Sequence, residues 1–172
     1  MVSPDNLEEL YDAHAQALYS FLVNFTRSEA DTRDILQEVF IKLAQRPSPL
    51  KGVRDERAFL LRLAHNLALD LFRRRSTRER NCQQWAEEVV SLFAEASSPD
   101  EQTFRKALAC ALSEIPAEQR AIVHLKLWES LTFEQIAELL DLSPNTAASR
   151  YRYGIDKLRQ RLRPLYNEIN ET

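Results

Sequence analysis

Glycine is almost missing from this chain, with 2 residues in 172. Folds made of many strands and tight turns draw on glycine for left-handed backbone, so the shortage points to an all-helical protein. Cysteine is equally scarce. Cys82 and Cys110 have neither CxxC spacing nor a neighbouring histidine pair, which argues against a disulfide framework or a zinc site and for two reduced thiols. No apolar run approaches the length of a membrane span, and the opening residues MVSPDNLEEL are acidic, without the basic and apolar segments of a leader. No direct membrane insertion is therefore expected, and a cytoplasmic location is. The machinery of an enzyme is missing as well: there is no phosphate loop, no nucleophile with a matched base and no cluster of metal ligands. His14, His65 and His124 fall on three separate helices. The expectation is a protein with no chemistry and no cofactor of its own.

What the chain does have is charge sorted into blocks. The net charge is −3. Residues 51–80 nevertheless hold nine basic against four acidic side chains, and residues 142–172 hold six against three. The segment between 81 and 104 has five acidic side chains and no basic one. Nucleic-acid footprints are local, so an acidic protein can still own basic faces. Charge alone leaves two readings open, DNA-binding faces or well-solvated helix ends.

Apolar spacing divides the chain into helices. Leu7, Leu10, Tyr11, His14, Leu18, Phe21, Leu22 and Phe25 recur every three or four residues and predict one long amphipathic helix. A second runs from about Glu29 to Ala44, with Ile35, Val39, Phe40 and Leu43 inward, until Arg46-Pro47-Ser48-Pro49 stops it. Phe59, Leu60, Leu63, Leu67, Leu71 and Phe72 line a third that ends in Arg73-Arg74-Arg75, cations suited to a helix C-terminus. Then the composition changes. Glu87, Glu88, Glu95, Asp100, Glu101 and the Ser97-Ser98-Pro99 break mark residues 81–101 as an acidic linker, with Trp85, Val89, Leu92 and Phe93 as a short apolar stripe for docking. Beyond it come a helix near Gln102–Ser113, another starting at Pro116 and running to about Trp128, and a final pair. The expected architecture is two small helical domains, 1–80 and 102–172, joined by that linker.

The final pair carries the sharpest local signal, LTFEQIAELLDLSPNTAASRYRYGIDKLRQRL over residues 131–162. Phe133, Ile136, Ala137 and Leu140 give a short helix its apolar face, Asp141-Leu142 turns the chain, and Ser143-Pro144 opens the next helix with a cap and a proline whose missing N–H costs nothing. Ala147, Tyr151, Gly154, Leu158 and Leu162 share one face of that helix. Thr146, Ser149, Arg150, Tyr153 and Lys157 take the opposite arc, with Asn145 at the first turn. This is the pattern of a helix-turn-helix whose second helix enters the major groove; an ordinary helical hairpin with a solvated face has the same periodicity.

Three segments taken together resemble the extracytoplasmic-function sigma factors. ADTRDILQEVFIKL (30–43) is similar to the family's region-two helix, ERAFLLRLAHNLALDLFRRR (56–75) to its promoter-reading and melting helix, with Ala64, Asn66 and Asp70 in the core of the motif, and LSEIPAEQRAIVHLKLWESLTFEQIAELLDLSPNTAASRYRYGIDKLR to region four, including Pro116 and Arg120. Leu60 stands where tryptophan is frequent, Ser130 and Asp141 where glycine is common, and Ala148 where lysine is frequent. The resemblance implies a subunit that binds core RNA polymerase through the clamp of its largest subunit and through the flap, and that reads promoter DNA. It implies core contacts at Asp34, Gln37, Glu38 and Phe40. It implies −10 and melting contacts at Arg54, Arg57, Arg62, Asn66, Arg73 and Arg74, and −35 contacts at Asn145, Thr146, Ser149, Arg150, Tyr153 and Lys157. The loop Pro47–Asp55 resembles the one that captures an unstacked base, and an anti-sigma factor is implied as a partner. A self-sufficient helix-turn-helix regulator is the rival reading; the clamp-like segment and the basic block at 51–80 argue against it.

Overall fold

A computed structural model describes residues 4–45, 50–74 and 99–170. Among these there are seven α-helices and no strand. They are α1 (Pro4–Thr26), α2 (Glu29–Ala44), α3 (Glu56–Arg74), α4 (Pro99–Ser113), α5 (Ala117–Leu127), α6 (Phe133–Leu140) and α7 (Pro144–Asn170). The expected linker lies outside the described residues over 81–98, together with its apolar stripe, as do Arg75 and Pro47–Pro49. Its last positions, Pro99 to Glu101, form the first turn of α4.

Local chemistry sets the boundaries. Arg27 takes a left-handed φ of 54° and ends α1. Ser28 then caps α2 by accepting the Asp31 N–H at 3.2 Å, and Glu29 and Asp31 place negative charge on the first turn, where the helix dipole favours it. The Asp55 carboxylate accepts the Ala58 N–H at 2.9 Å and starts α3. Just before it, Gly52 sits at φ 83° in a turn closed by the Val53 N–H on Leu50 O. Pro116 flanks α5 as its extended cap instead of occupying its first turn.

The two halves share their packing. One cluster of buried side chains runs from α1, α2 and α3 through Ala121, Ile122 and Leu125 of α5 to Ile136, Leu139 and Ala147 of α6 and α7. A second gathers Val23 of α1 with Ala109, Leu112, Ile115, Val123 and Leu158. Helix α1 belongs to both. Its residues 21–26 are buried all round, because α2 and α3 pack on one side and α5 on another. At the crossing of α5 and α7, Gly154 lets the helices close: a Cβ there would meet Val123 Cγ2 at 2.8 Å.

Arg120 holds this junction. It is 2% exposed, and its guanidinium donates to Asn24 O, to Phe25 O at 2.9 Å, to Leu112 O at 3.1 Å and to Ile115 O at 2.6 Å. Three of these carbonyls lie in the last turns of α1 and α4, where the dipoles are negative, and Ile115 follows α4. Burial, and then the nearby Arg27, push its pKa down to about 9, so it stays charged at neutral pH. Arg27 itself donates to Ser113 O at 2.6 Å. Replacing Arg120 by methionine keeps most of the volume but removes this donor from the carbonyls of Asn24, Phe25 and Ile115, while Leu112 O keeps the Ile115 N–H at 3.2 Å. Losing charged hydrogen bonds and leaving buried carbonyls without a donor costs on the order of a few kcal/mol, and urea unfolding should show a correspondingly lower midpoint; an unchanged midpoint would contradict this account of the junction.

Candidate functional site

Three surfaces carry the residues singled out from sequence. The first lies along α1 and α2. Asp34, Gln37, Glu38 and Ile41 follow helical neighbour spacing, so they share one face of α2. Asp34 and Gln37 are exposed, Glu38 pairs with Lys42 at 3.4 Å, and Phe40 is buried with its ring 5.0 Å from Tyr11. Between the helices lies an open groove of about 670 Å³ whose lining includes Tyr11, Leu36, Gln37, Phe40 and Ile41. Tyr11 and Ile41 each stand about half exposed, at 48% and 49%. Tyr11, placed by its periodicity on the inward stripe of α1, instead edges this groove. The result is an apolar trough lined also by Gln37 and Arg33, with Asp34 and Glu38 on the same face of α2 as Gln37 and Ile41.

The second surface is on α3. Arg62, Asn66, Asp70 and Arg73 repeat at three- and four-residue steps and are all exposed, as is Arg74. Asp70 pairs with Arg73 at 3.3 Å. Arg54 is exposed in the loop before the helix. Arg57 is different: it leaves this face and donates Nε and Nη2 to the two carboxylate oxygens of Glu129, at 2.5 and 3.0 Å. On the inner side, His65 packs between Phe21 and Phe25, with ring centroids at 6.3 and 5.1 Å.

The third surface is built by α6 and the start of α7. Thr132 and Gln135 form a reciprocal cap on α6. Asp141 adopts φ 58°, ψ 53° and ends it, and the Leu142 N–H returns to Ala137 O at 2.8 Å. Ser143 accepts the Thr146 N–H at 3.1 Å, and the two hydroxyls lie 2.8 Å apart. Along α7, Ala147, Gly154 and Leu158 are buried, whereas Asn145, Tyr153 and Lys157 are exposed and Thr146, Ser149 and Arg150 half-buried. Arg150 reaches back to Glu118 at 3.0 Å. Ser130 and Asp141, at two positions where glycine is common in the family resembled, both hold left-handed φ.

Sequence reasoning missed the contacts between these surfaces. Glu129, whose side chain is 4% exposed, ties the turn after α5 to α3 through Arg57. The Asn24 amide donates to His124 Nδ1 at 2.9 Å, which leaves the ring proton on Nε2, facing the Glu129 carboxylate at 3.9 Å. His124 also stacks on Trp128 at 5.2 Å and meets Phe21 edge-on at 5.6 Å. These partners are 72 and 100 residues apart in sequence, beyond the reach of periodicity. One signal was available: Arg120 and His124, one helical turn apart, interrupt an otherwise apolar stretch. Among the described residues no group of His, Cys, Asp and Glu is arranged to hold a metal, and no helix is long and apolar enough to cross a membrane.

Family models for sigma-70 region 2 and sigma-70 region 4 match residues 10–78 and 105–158 respectively. The chain is 32% identical over 163 residues to the ECF RNA polymerase sigma factor SigL of Mycobacterium tuberculosis, covering 92% of this chain and 90% of that one. It is 26% identical over 170 residues to SigX of Bacillus subtilis, covering 96% and 88%. A solved structure with a similar fold is the sigma factor RpoE of Bartonella quintana in complex with the anti-sigma factor NepR, with a TM-score of 0.69, 19% identity and coverage of 91% and 96%.

Two consequences can be measured. Burial pushes His65 and His124 down to about 4 each, in His124 against the pull of Glu129. Both folded values lie below the ordinary 6.5 of an unfolded histidine. The stability they contribute is thus whole above pH 6.5 and is lost as pH falls towards 4, a loss on the order of a few kcal/mol. Urea midpoints at pH 7.5 and pH 5 should differ in that direction. At Asp141, glycine removes the Cβ penalty of left-handed backbone, so Asp141→Gly should raise stability by roughly 0.5–1 kcal/mol; a lowered melting temperature would contradict the strain argument.

Proposed function

The chain belongs to the extracytoplasmic-function sigma factors of the sigma-70 family, and on that premise we propose how its three surfaces divide the work of promoter-specific initiation. The α1–α2 groove, with Asp34, Gln37, Glu38 and Phe40, receives the clamp of the largest subunit of core RNA polymerase, while the flap engages the C-terminal half. Its chemistry suits a helical partner: an apolar trough takes the partner's apolar side chains, and Asp34 and Glu38 on the exposed face of α2 attract its cations. The basic face of α3 reads and helps melt the −10 element. Arg62, Arg73, Arg74 and Arg54 hold phosphates, and Asn66 offers both a donor and an acceptor to an unstacked base. Unstacking costs a few kcal/mol per step, which cationic contacts and a receiving pocket have to offset.

The helix-turn-helix of α6 and α7 reads the −35 element. Asn145, Thr146, Ser149 and Tyr153 present hydroxyls, an amide and an aromatic edge over the first turns of α7, and Arg150 and Lys157 supply charge. The N-terminus of α7 adds its dipole towards phosphate. The protein acts without a catalytic residue or cofactor of its own, works beside polymerase in the cytoplasm, and is restrained by an anti-sigma factor. The observation that carries this reading is the pairing of basic, solvent-facing helix surfaces on α3 and α7 with the two segments similar to regions 2 and 4.

Run-off transcription with purified core polymerase and genomic template tests it, since the chain should be retained by core and give transcripts from defined starts. Failure of both would sink the reading. Within it, Arg150→Ala should weaken −35 binding by ~1–3 kcal/mol with retention on core unchanged. The partner it leaves behind, Glu118, has a side chain that is 66% exposed, so the folding cost is small and equal loss of both activities would mark Arg150 as structural.

A further inference from the structure

Helix α6 has 8 residues, too few to hold its place by its own hydrogen bonds. Helix α7 packs along it, so the orientation of the −35 reader depends on what fixes α6. At the C-terminal end that is the Asp141 turn and the buried Leu139. At the N-terminal end, where α6 joins α5 through residues 128–132, one side chain makes two contacts. The Lys126 ammonium, half-buried in the last turn of α5, donates to Leu131 O at 3.0 Å and stands 4.9 Å from the centroid of the Phe133 ring. The Leu131 N–H returns to Leu125 O at 3.2 Å. Both backbone polar groups of Leu131 are therefore tied to α5, one by the main chain and one by Lys126, immediately before the Thr132 cap.

Phe133 passes the constraint on. Its ring meets Tyr151 of α7 edge-on, with centroids 5.6 Å apart and planes at 62°. Tyr151 stands between Ala147 and Gly154 on the packed face of α7. Those two small residues let α7 approach its neighbours closely, but neither has a side chain long enough to fix the helix's rotation. Tyr151 has one. Ser149, Arg150 and Tyr153 lie within two residues of it, on the arc assigned to base and phosphate contact. On a helix of about 10–12 Å diameter, a rotation of about 20° moves side-chain tips by about 2 Å. That shift is more than a hydrogen bond to a base edge tolerates.

We propose that Lys126 is a positioning residue for −35 recognition: through Leu131 O and the Phe133 ring it sets the rotation of α7, and with it which base edges the first turns of that helix read. Lys126 itself touches no DNA. An ammonium suits the task because its three donors serve a carbonyl while its charge lies over an aromatic face, and the second attraction strengthens where water is excluded. Apolar spacing gives no hint of this role, since it depends on a carbonyl and a ring that the turn brings back over the end of α5. The inference rests on the assignment of α7 to the −35 element and names what maintains its selectivity.

The test uses the full chain bound to core polymerase and two templates, a promoter defined by run-off transcription and the same promoter with its −35 element replaced. Base-edge contacts distinguish the two, whereas phosphate contacts do not. Lys126→Met keeps the length of the side chain but loses the donors and the charge. It should lower the affinity ratio between the templates about tenfold, the weight of roughly one mismatched base pair, chiefly by weakening the intact promoter. Lys126→Arg should restore most of the ratio. Phe133→Leu should lower it as far as Lys126→Met does, and the two changes together no further, because both act along one path. A variant that is merely less stable loses competent protein for both templates equally and leaves their ratio alone. An unchanged ratio in Lys126→Met, or additive losses in the double variant, would therefore overturn the proposal. If the unaltered chain with core fails to distinguish the two templates, the assignment of α7 to the −35 element falls instead.

Discussion

A buried guanidinium without a carboxylate partner organises this molecule. Taking a charge out of water costs several kcal/mol, and Arg120 recovers that cost from carbonyls at or just beyond the ends of two helices, where intrahelical donors run out. Because α1 comes from the N-terminal half and α4 and α5 from the C-terminal half, one side chain fixes the position of three helices at once. The rest follows from α5. Its far end carries the turn with Glu129, its outer face admits α7 at the near-contact of Gly154 and Val123, and α6 is hung between the two.

That arrangement gives a sigma factor two tiers of contact between its halves. Arg120, Asn24, His124 and the shared apolar cluster lie deep and dry, where desolvation makes each hydrogen bond costly to leave unmade. Arg57–Glu129 lies at the margin, with one partner half in water. The deep tier supplies most of the cohesion, and the marginal tier is the one that solutes reach.

The turns around α6 make a further point about substitution. Ser130 and Asp141 hold left-handed backbone at positions where a glycine would be unstrained. Asp tolerates this region better than most residues because its short polar side chain bonds locally, and the Leu142 N–H still reaches Ala137 O. Thr132 and Ser143 then restore donors' partners at the starts of α6 and α7. Strong caps on both helices compensate for the two strained joints, so the turn keeps its geometry although its residues differ from those common in the family.

The sequence by itself determined the local structure. Apolar spacing located α2 from Glu29 to Ala44, proline and serine located the start of α7, and helical phase separated Ala147, Gly154 and Leu158 from Asn145, Tyr153 and Lys157. Each of these depends on residues within a turn or two of one another, where backbone hydrogen bonding and side-chain phase are fixed by neighbours. Only the tertiary structure decided that residues 21–26 are covered on every side, that Arg57 turns away from the basic face of α3, and that two histidines are held neutral. Those outcomes depend on α5 lying against α1, and on partners up to 100 residues distant. A periodic pattern reports which face of a helix is apolar; it carries no record of which helix will cover it, nor of the carboxylate or carbonyl that a lone arginine will find when it does.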